Sequence, residues 1–501
     1  MSIGNGFKEN KPIDEDVSTK KHDIHLQLAV NLDEIREKLG NSSDIIIRQI
    51  ECGSSRIPAA VVYVNGLVDN EMVDDFVMRS KELELSSHTE KTIMNSQQLR
   101  LSILSGDTII LIDGWAEALC GNTKGGQVRQ VTEASTQVVI RGPKESFTEA
   151  IGTNIALIRR KIKNDNLWVD TMQIGKVTQT DVSIMYIKGI TNDKIVREVK
   201  KRLNNIQTDS VLESGYIEQF IEENSYSLFP TLYNTERPDI VAGNLLEGRL
   251  AILVDGTPFV LIAPVSFFMY FQSVEDYYQR FIVSSMIRLL RYIALLISLF
   301  GPSVYIASIT FHQEMIPTQL LISLAAQREG VPFPALIEAL IMEFTFEILR
   351  EAGVRMPRAI GQAVSIVGAL VLGQAAVQAG IVSPAMVIVV SITGISSFTT
   401  PAFSMALSVR AIRFLIMLSA AVIGFYGIAI LSIILIAHMC SLRSFGFPYM
   451  SPLAPFILED QQDTLIRFPM KHLFTRPRLI SQKNTNRMGK DELQGGDFNE
   501  S

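Results

Sequence analysis

The chain has 501 residues, a formal net charge of −6 and 47% hydrophobic residues, with a mean hydropathy of +0.22. That length exceeds one ordinary core, and the small negative charge excludes a dedicated nucleic-acid binder, which carries a basic excess. Three widely spaced cysteines (Cys52, Cys120, Cys440) form no CxxC pair, so neither a disulfide framework nor a zinc site is expected, and the reading includes no metal and no cofactor.

The apolar residues are unevenly placed. Residues up to about 247 are charged and mixed, whereas 249–439 are mostly apolar, the pattern of a soluble region joined to a membrane region. Residues 1–43 read as a disordered tail with at most a short helix around 32–39. No apolar run follows the positive charges near the N-terminus, so no secretory signal is expected and the soluble region should face the cytoplasm. A first lobe is expected over 44–166: strands at 44–47, 59–64 and 108–112, a helix over 70–85, a further strand at 137–140 and a helix over 146–162. A second lobe over 167–245 carries a strand at 182–187 and helices over 192–206 and 212–224. Alternating strands and helices predict two small α/β lobes, followed by an α-helical polytopic membrane domain.

Two apolar runs, 250–253 and 259–263, flank Asp255-Gly256-Thr257-Pro258, a strong turn signal that predicts a β-hairpin and not a span. With the charged, aromatic stretch 274–287, which should lie at the membrane surface, they form a module over 246–288. A transmembrane domain is expected over 289–440. Spanning takes about 20 apolar residues. The runs 289–308 (kinked at Gly301-Pro302), 359–380 and 412–439 qualify, and 385–398 is a shorter candidate. The segment 316–324 is too short alone, and 333–349 carries Glu338, Glu343 and Glu347. Glu343, Glu347 and Glu351 share a helical face that meets water or protein, or belongs to an elbow helix. In the tail, 441–501, the stretch from Arg467 to Lys490 is basic with no acidic residue, which places both termini in the cytoplasm and makes the span count even, four in preference to six.

Enzyme signals do not hold. Gly121-Asn-Thr-Lys-Gly-Gly126 lacks the Lys-Ser/Thr that a phosphate loop needs, and His312-Gln-Glu314 has no following Pro-Cys-x-x-Cys. Asp113 and Asp255, each before a glycine, are explained better as turn formers than as catalytic carboxylates. No catalytic residue is assigned.

The segment 359–380 is the most informative helix. Gly361, Ser365, Gly368, Leu372, Ala375 and Ala379 share a small-residue face of the kind that lets helices approach closely. Another face carries Val364, Val367, Val371, Gln374 and Gln378. Two amides one turn apart are costly against lipid, so they face protein or water. They are bonded within an ordinary bundle, or they line a pore that rings of Val367 and Val371 close by dewetting. No Asp or Lys interrupts the helix, which suits a small-ion path better than a proton relay.

Several motifs then read together: Arg141-Gly142-Pro143-Lys-Glu-Ser-Phe-Thr-Glu149, Asn154-Ile-Ala-Leu-Ile-Arg-Arg160, Thr235-Glu236-Arg237-Pro238-Asp239, Glu247-Gly-Arg249 through Asp255-Gly256-Thr257-Pro258, and Glu275-Asp-Tyr-Tyr278. Phe447-Pro-Tyr-Met-Ser-Pro-Leu-Ala-Pro455 and Arg476-Pro477 complete the series. With them the chain resembles the A subunit of the GerA-type spore germinant receptors of endospore-forming bacteria, over about 44–478. It departs at Glu133-Ala134 and Gln137, where many members carry Glu-Pro and a later Glu. The resemblance implies a subunit in the spore inner membrane, acting beside a permease-like B subunit and a lipoprotein C subunit. It implies that a small nutrient is sensed mainly through B, and that A subunits assemble into a channel releasing monovalent cations. The alternatives are a nutrient transporter, for which two inverted halves would be expected and are not seen, and a non-conducting signalling subunit whose lobes bind a ligand.

Overall fold

The structure is a computed structural model that describes residues 24–53, 56–81, 91–125, 134, 136–356, 373–482 and 484–487. Two compact units divide the chain, 1–126 with 163–165, and 127–162 with 166–501.

In the first unit, α1 (Leu28–Lys38) precedes β1 (Ile45–Cys52), β2 (Ile57–Val64), α2 (Asn70–Lys81), β3 (Lys91–Ile93), α3 (Ser96–Leu104), β4 (Thr108–Ile112) and β5 (Ala118–Gly121). The strands form one antiparallel sheet in the order β1-β2-β4-β5-β3. Alternate residues of β2, Ala59, Val61 and Tyr63, pack with Val73, Phe76 and Val77 of α2, as the two-residue period of a strand requires. The helix expected around 32–39 starts earlier, at Leu28, and buries Leu28, Leu32 and Ile35, so part of the stretch read as a tail belongs to this lobe.

The second unit repeats the plan. It runs α4 (Ile151–Lys161), β6 (Leu167–Ile174), β7 (Thr180–Ile187), α5 (Asp193–Asn204), α6 (Ser214–Ile221), β8 (Tyr233–Thr235), α7 (Pro238–Leu246), β9 (Leu250–Val254) and β10 (Val260–Ala263). Its antiparallel sheet has the order β6-β7-β9-β10-β8, the same permutation as the first. β9 is buried on both faces. Ala251 and Leu253 pack with Ile158, Val241 and Leu245 of α4 and α7, while Leu250, Ile252 and Val254 pack with Val199 of α5 and Ile217 of α6. The expected hairpin is present as β9 and β10.

The likeness extends to single hydrogen bonds. Asp113 Oδ1 accepts the Leu28 amide at the start of α1 at 2.9 Å, and Asp255 Oδ1 accepts the Ile151 amide at the start of α4 at 3.0 Å. Gly114 and Gly256 donate to Leu26 and Glu149 carbonyls, each at 2.8 Å, and Asn31 and Asn154 clasp the backbone of His25 and Thr148 alike. Both aspartates are therefore helix-capping groups, in agreement with the turn reading.

Three sequence expectations need correction. Residues 137–140 form no strand; they are an extended strap held by side chains of the second lobe. The surface helix expected over 274–287 and the span expected from 289 are divided differently: α8 (Glu275–Tyr278) is one turn, and α9 (Phe281–Thr310) is one helix that continues through Pro302. The run 412–439 is two helices, because Gly424 (φ 63°) breaks it where a Cβ would lie 2.7 Å from His312.

Among the described residues the remaining α-helices are α10 (Thr318–Arg328), α11 (Ala335–Arg355), α12 (Gly373–Gln378), α13 (Pro384–Ser397), α14 (Phe403–Ile423) and α15 (Phe425–Ser441). α9 and α14 are long and apolar enough to cross a membrane by length and composition, while α13 and α15 are shorter apolar helices. α9 leaves the second lobe at Phe281 and ends near His312. α14 runs with it to Gly424 beside His312, and α15 returns until His438 Nε2 meets Ser227 Oγ at 3.1 Å. The fold thus has two α/β lobes and a helical C-terminal part.

Candidate functional site: buried charges at the lobe–helix junction and along the apolar helices

The motif residues gather in the second unit. Arg237, at the N-cap of α7, is buried and forks onto Asp239, with Nε–Oδ1 at 3.1 Å and Nη2–Oδ2 at 2.6 Å. Its remaining donors take the carbonyls of Gln137 (3.2 Å) and Pro143 (2.8 Å). Glu236 accepts the Thr136 and Gln137 amides at 2.5 and 3.1 Å. Gln137 accepts Thr235 Oγ1 at 2.6 Å through its amide oxygen, so a neutral residue meets the bonding need here. Gly142 (φ 131°) lies under the Tyr278 ring, 2.5 Å from where a Cβ would sit, and Tyr278 donates to Asp239 at 2.9 Å. Burial and the Asp239 carboxylate push the Tyr278 phenol above its ordinary value. Pro143 gives its carbonyl to Arg237, Pro238 opens α7 at the position that needs no N–H, and Arg141 donates its amide to Glu275 at 3.3 Å. Asp255, Gly256 and Pro258 lie apart from this cluster, at the β9–β10 turn. These charges are satisfied among themselves, so the cluster ties strap, lobe and α8 together and offers no reactive group.

A second cluster joins α8, α9 and the C-terminal segment. Arg288, fully buried, donates to Asp276 Oδ2 at 3.2 Å and to Asp463 Oδ1 at 2.8 Å; Arg291 adds a bond to Asp276 at 2.8 Å. Tyr277 donates to Asp463 at 2.5 Å, and Arg467 donates to the Asp276 and Gln279 carbonyls at 2.5 and 3.0 Å. Burial pushes the Asp463 carboxyl above its ordinary value, while Arg288 and the Tyr277 hydroxyl oppose that shift. Asp276, two arginines and the returning chain form one knot at the base of α9.

A third set runs along the apolar helices. Arg413 of α14 and Glu343 of α11 pair at 2.7 Å, with side chains 1% and 0% exposed. Pro302 has no N–H, so the Ser298 carbonyl one turn before it lacks a helical donor. Arg413 fills that gap: its Nε reaches the Ser298 carbonyl at 2.6 Å and its Nη2 the Ser298 hydroxyl at 3.0 Å. One turn along α11, Glu347 pairs with Arg350, and Arg410 Nη1 stands 3.9 Å away. At the other end, Glu338 meets Arg328 at 3.0 Å and the Ser383 amide at 2.9 Å. The acidic face of α11 thus meets protein as far as Glu347, while Glu351 is exposed and pairs with Arg355.

Of the proposed pore residues, Val364, Val367 and Val371 lie outside the described residues, as do Gly361, Ser365, Gly368 and Leu372 of the small-residue face. Gln374, Ala375 and Gln378 fall on α12 and are exposed. The sequence reading missed Arg288, Arg410 and Arg413. Their signal was present as guanidinium groups within long apolar runs, which are costly unless paired.

A sequence profile for the Bacillus/Clostridium GerA spore germination protein family matches residues 33–479. The chain is 54% identical over 486 residues to the Bacillus subtilis (strain 168) protein named Spore germination protein KA, covering 94% of this chain and 89% of that one. It is 44% identical over 484 residues to Uncharacterized membrane protein YfkQ of the same organism, covering 94% of each. A solved structure, the N-terminal domain of the A subunit of the Bacillus megaterium spore germinant receptor GerK3, is 44% identical, with 50% of this chain and 98% of that chain covered and a TM-score of 0.39.

Proposed function

The chain belongs to the Bacillus/Clostridium GerA spore germination protein family, and from that premise we propose that it is the A subunit of a nutrient germinant receptor. The family and its relative, Spore germination protein KA, support the role in germination. In this reading it sits in the spore inner membrane with both termini cytoplasmic, beside a permease-like B subunit and a lipoprotein C subunit. Copies of the chain assemble around an axis, and the segment 359–380 lines a path for monovalent cations that opens on nutrient binding to the complex.

One observation supports the membrane and assembly parts together. The most apolar windows of α9 and α14 are only 33% and 44% buried within the chain, and Leu289, Ile293, Leu296, Leu415 and Leu418 are exposed. So much exposed apolar surface on long helices suits lipid or a further copy of the chain, not water. Gln374 and Gln378 are exposed in the single chain, as groups meeting an aqueous path would be.

The test uses spores in which this chain replaces the resident A subunit. Val371→Ala should widen the constriction, so that monovalent cations leak and spores germinate without nutrient. Unchanged dormancy and unchanged cation retention, with the variant present at normal level, would remove the pore assignment.

A further inference from the structure

A cavity of about 500 Å³ opens in the second unit beside α7, α8 and the C-terminal segment. That volume suits a small organic molecule, whose sites are about 300–1,000 Å³. Part of the wall is apolar or aromatic: Ile240, Met269, Val274, Tyr277, Tyr278 and Met470. The charged part holds Arg249, Arg476, Arg487 and Glu247. Asp239 also borders the space, but Arg237 and Tyr278 already engage it.

The charges there do not balance. Glu247 is shared between Arg249 Nη1 at 3.2 Å and Arg487 Nη2 at 3.0 Å. Arg476 donates its Nε to the Leu246 carbonyl at 2.8 Å and its Nη1 to neutral oxygens of Asn484 and Asn486, leaving Nη2, and burial together with Arg487 pushes its guanidinium below the ordinary value. Three guanidinium groups therefore share one carboxylate. Arg249 is 6% exposed, and its Nε is buried with no hydrogen-bond partner, although Nη1 also holds Asn244 Oδ1. An arginine whose charge is met only by a shared carboxylate favours a further anion.

The first lobe serves as a reference. Ser102 accepts the Ser105 and Asp107 amides as Asn244 accepts those of Glu247 and Arg249, and Gly106 and Gly248 share a φ of 92°. At matching positions the first lobe has Leu101 for Gly243, Ser105 for Glu247 and Asp107 for Arg249. The open space beside Gly243 and the excess of positive charge are thus features of the second copy, not of the shared fold.

We propose that this cavity binds a small organic carboxylate, its apolar body against Met269, Met470 and the tyrosines and its carboxylate at Arg249 and Arg476. Such a ligand would act where the lobe meets α8 and the C-terminal segment, and its binding does not depend on ion conduction by the helices.

The full chain in phosphatidylcholine nanodiscs, with isotope-labelled methionine methyl groups, is titrated with benzoate and with benzyl alcohol, which has the ring without the carboxylate. Benzoate should shift the Met269 and Met470 signals saturably, and benzyl alcohol should do so at least about tenfold more weakly. Gly243→Leu should abolish the response; a Cβ at Gly243 meets nothing within 4 Å, so the helix has room for the side chain, and an unchanged unfolding midpoint confirms folding. Arg249→Gln should weaken benzoate by about tenfold. No saturable shift, equal response to both probes, or undiminished binding by Gly243→Leu overturns the proposal. The same signals shifting in phosphatidylglycerol nanodiscs without benzoate would assign the cavity to an acidic lipid head group and overturn it equally.

Discussion

The Nε of Arg413 lies 2.6 Å from the carbonyl oxygen of Ser298, an acceptor that is free because Pro302 carries no amide hydrogen. A residue that ordinarily weakens a helix here creates a seat for a buried cation, and Glu343 completes it.

Arg413→Met should destabilise the full chain by about 3–5 kcal/mol, because it leaves the Glu343 carboxyl without its partner in an apolar setting. Replacing both, Arg413→Met with Glu343→Met, should recover most of that loss. Thermal unfolding of the purified chain in micelles measures both. A single variant as stable as the parent would mean the pair contributes nothing.

Pro302→Ala supplies an amide to the Ser298 carbonyl and so competes with Arg413. In the parent chain the substitution should change stability little. In the Arg413→Met, Glu343→Met background it should stabilise by up to about 3 kcal/mol, the usual cost of a proline inside a helix. Equal gains in both backgrounds would show that the arginine does not use that carbonyl.

Arg288→Gln removes the cation between Asp276 and Asp463. Trypsin should then cleave within 467–487 at least about tenfold faster than in the parent, since protection there reflects local opening. Mass spectrometry of the fragments gives the sites. Cleavage at the parental rate would mean the tail is held by its other contacts.

Asp113→Ala and Asp255→Ala should each cost about 1 kcal/mol, the usual loss of a helix cap, and to a similar extent. Denaturant titrations followed at Trp115 for the first lobe and Trp168 for the second make the comparison. A much larger loss at Asp255 would reveal a second role there.

Burial pushes Glu218 of α6 up to about 7, with Glu222 and Glu213 adding to the shift. The folded form therefore holds this proton more tightly than the unfolded chain. Stability contributed by the protonated group is full below the unfolded value of 4.5, falls as pH rises towards 7 and stays low above it. Glu218→Gln should flatten this window and raise stability at pH 8 by on the order of 2 kcal/mol. A parental pH profile in the variant would exclude Glu218 as the source.

The lobes were legible because their signals are local. Short, largely apolar runs marked β7 and β9, and Asp255-Gly256 marked the hairpin. What escaped was tertiary. Residues 137–140 have the composition of a strand, but Glu236 and Arg237 take the backbone groups that a neighbouring strand would have used. The run 412–439 is apolar between Arg413 and His438, and only the φ of Gly424 reveals the turn. The duplication was also visible in principle: Tyr63-Val-Asn-Gly66 and Tyr186-Ile-Lys-Gly189 stand at the same place in each copy. Those short matches gain meaning only when both sheets are seen to share one strand order. The pairing of Arg413 with Glu343 joins residues 70 apart, and no periodicity connects them.

The knot at the base of α9 also bears on how the protein is made. Asp463 follows Arg288 by 175 residues, so the arginine's second acceptor is synthesised only after every apolar helix. Until then Arg288 has Asp276 alone, and the segment carrying Arg467 that closes over α8 does not yet exist. A chain that stops early carries its helices but not its latch. Completion of the chain thus becomes a structural event at this junction.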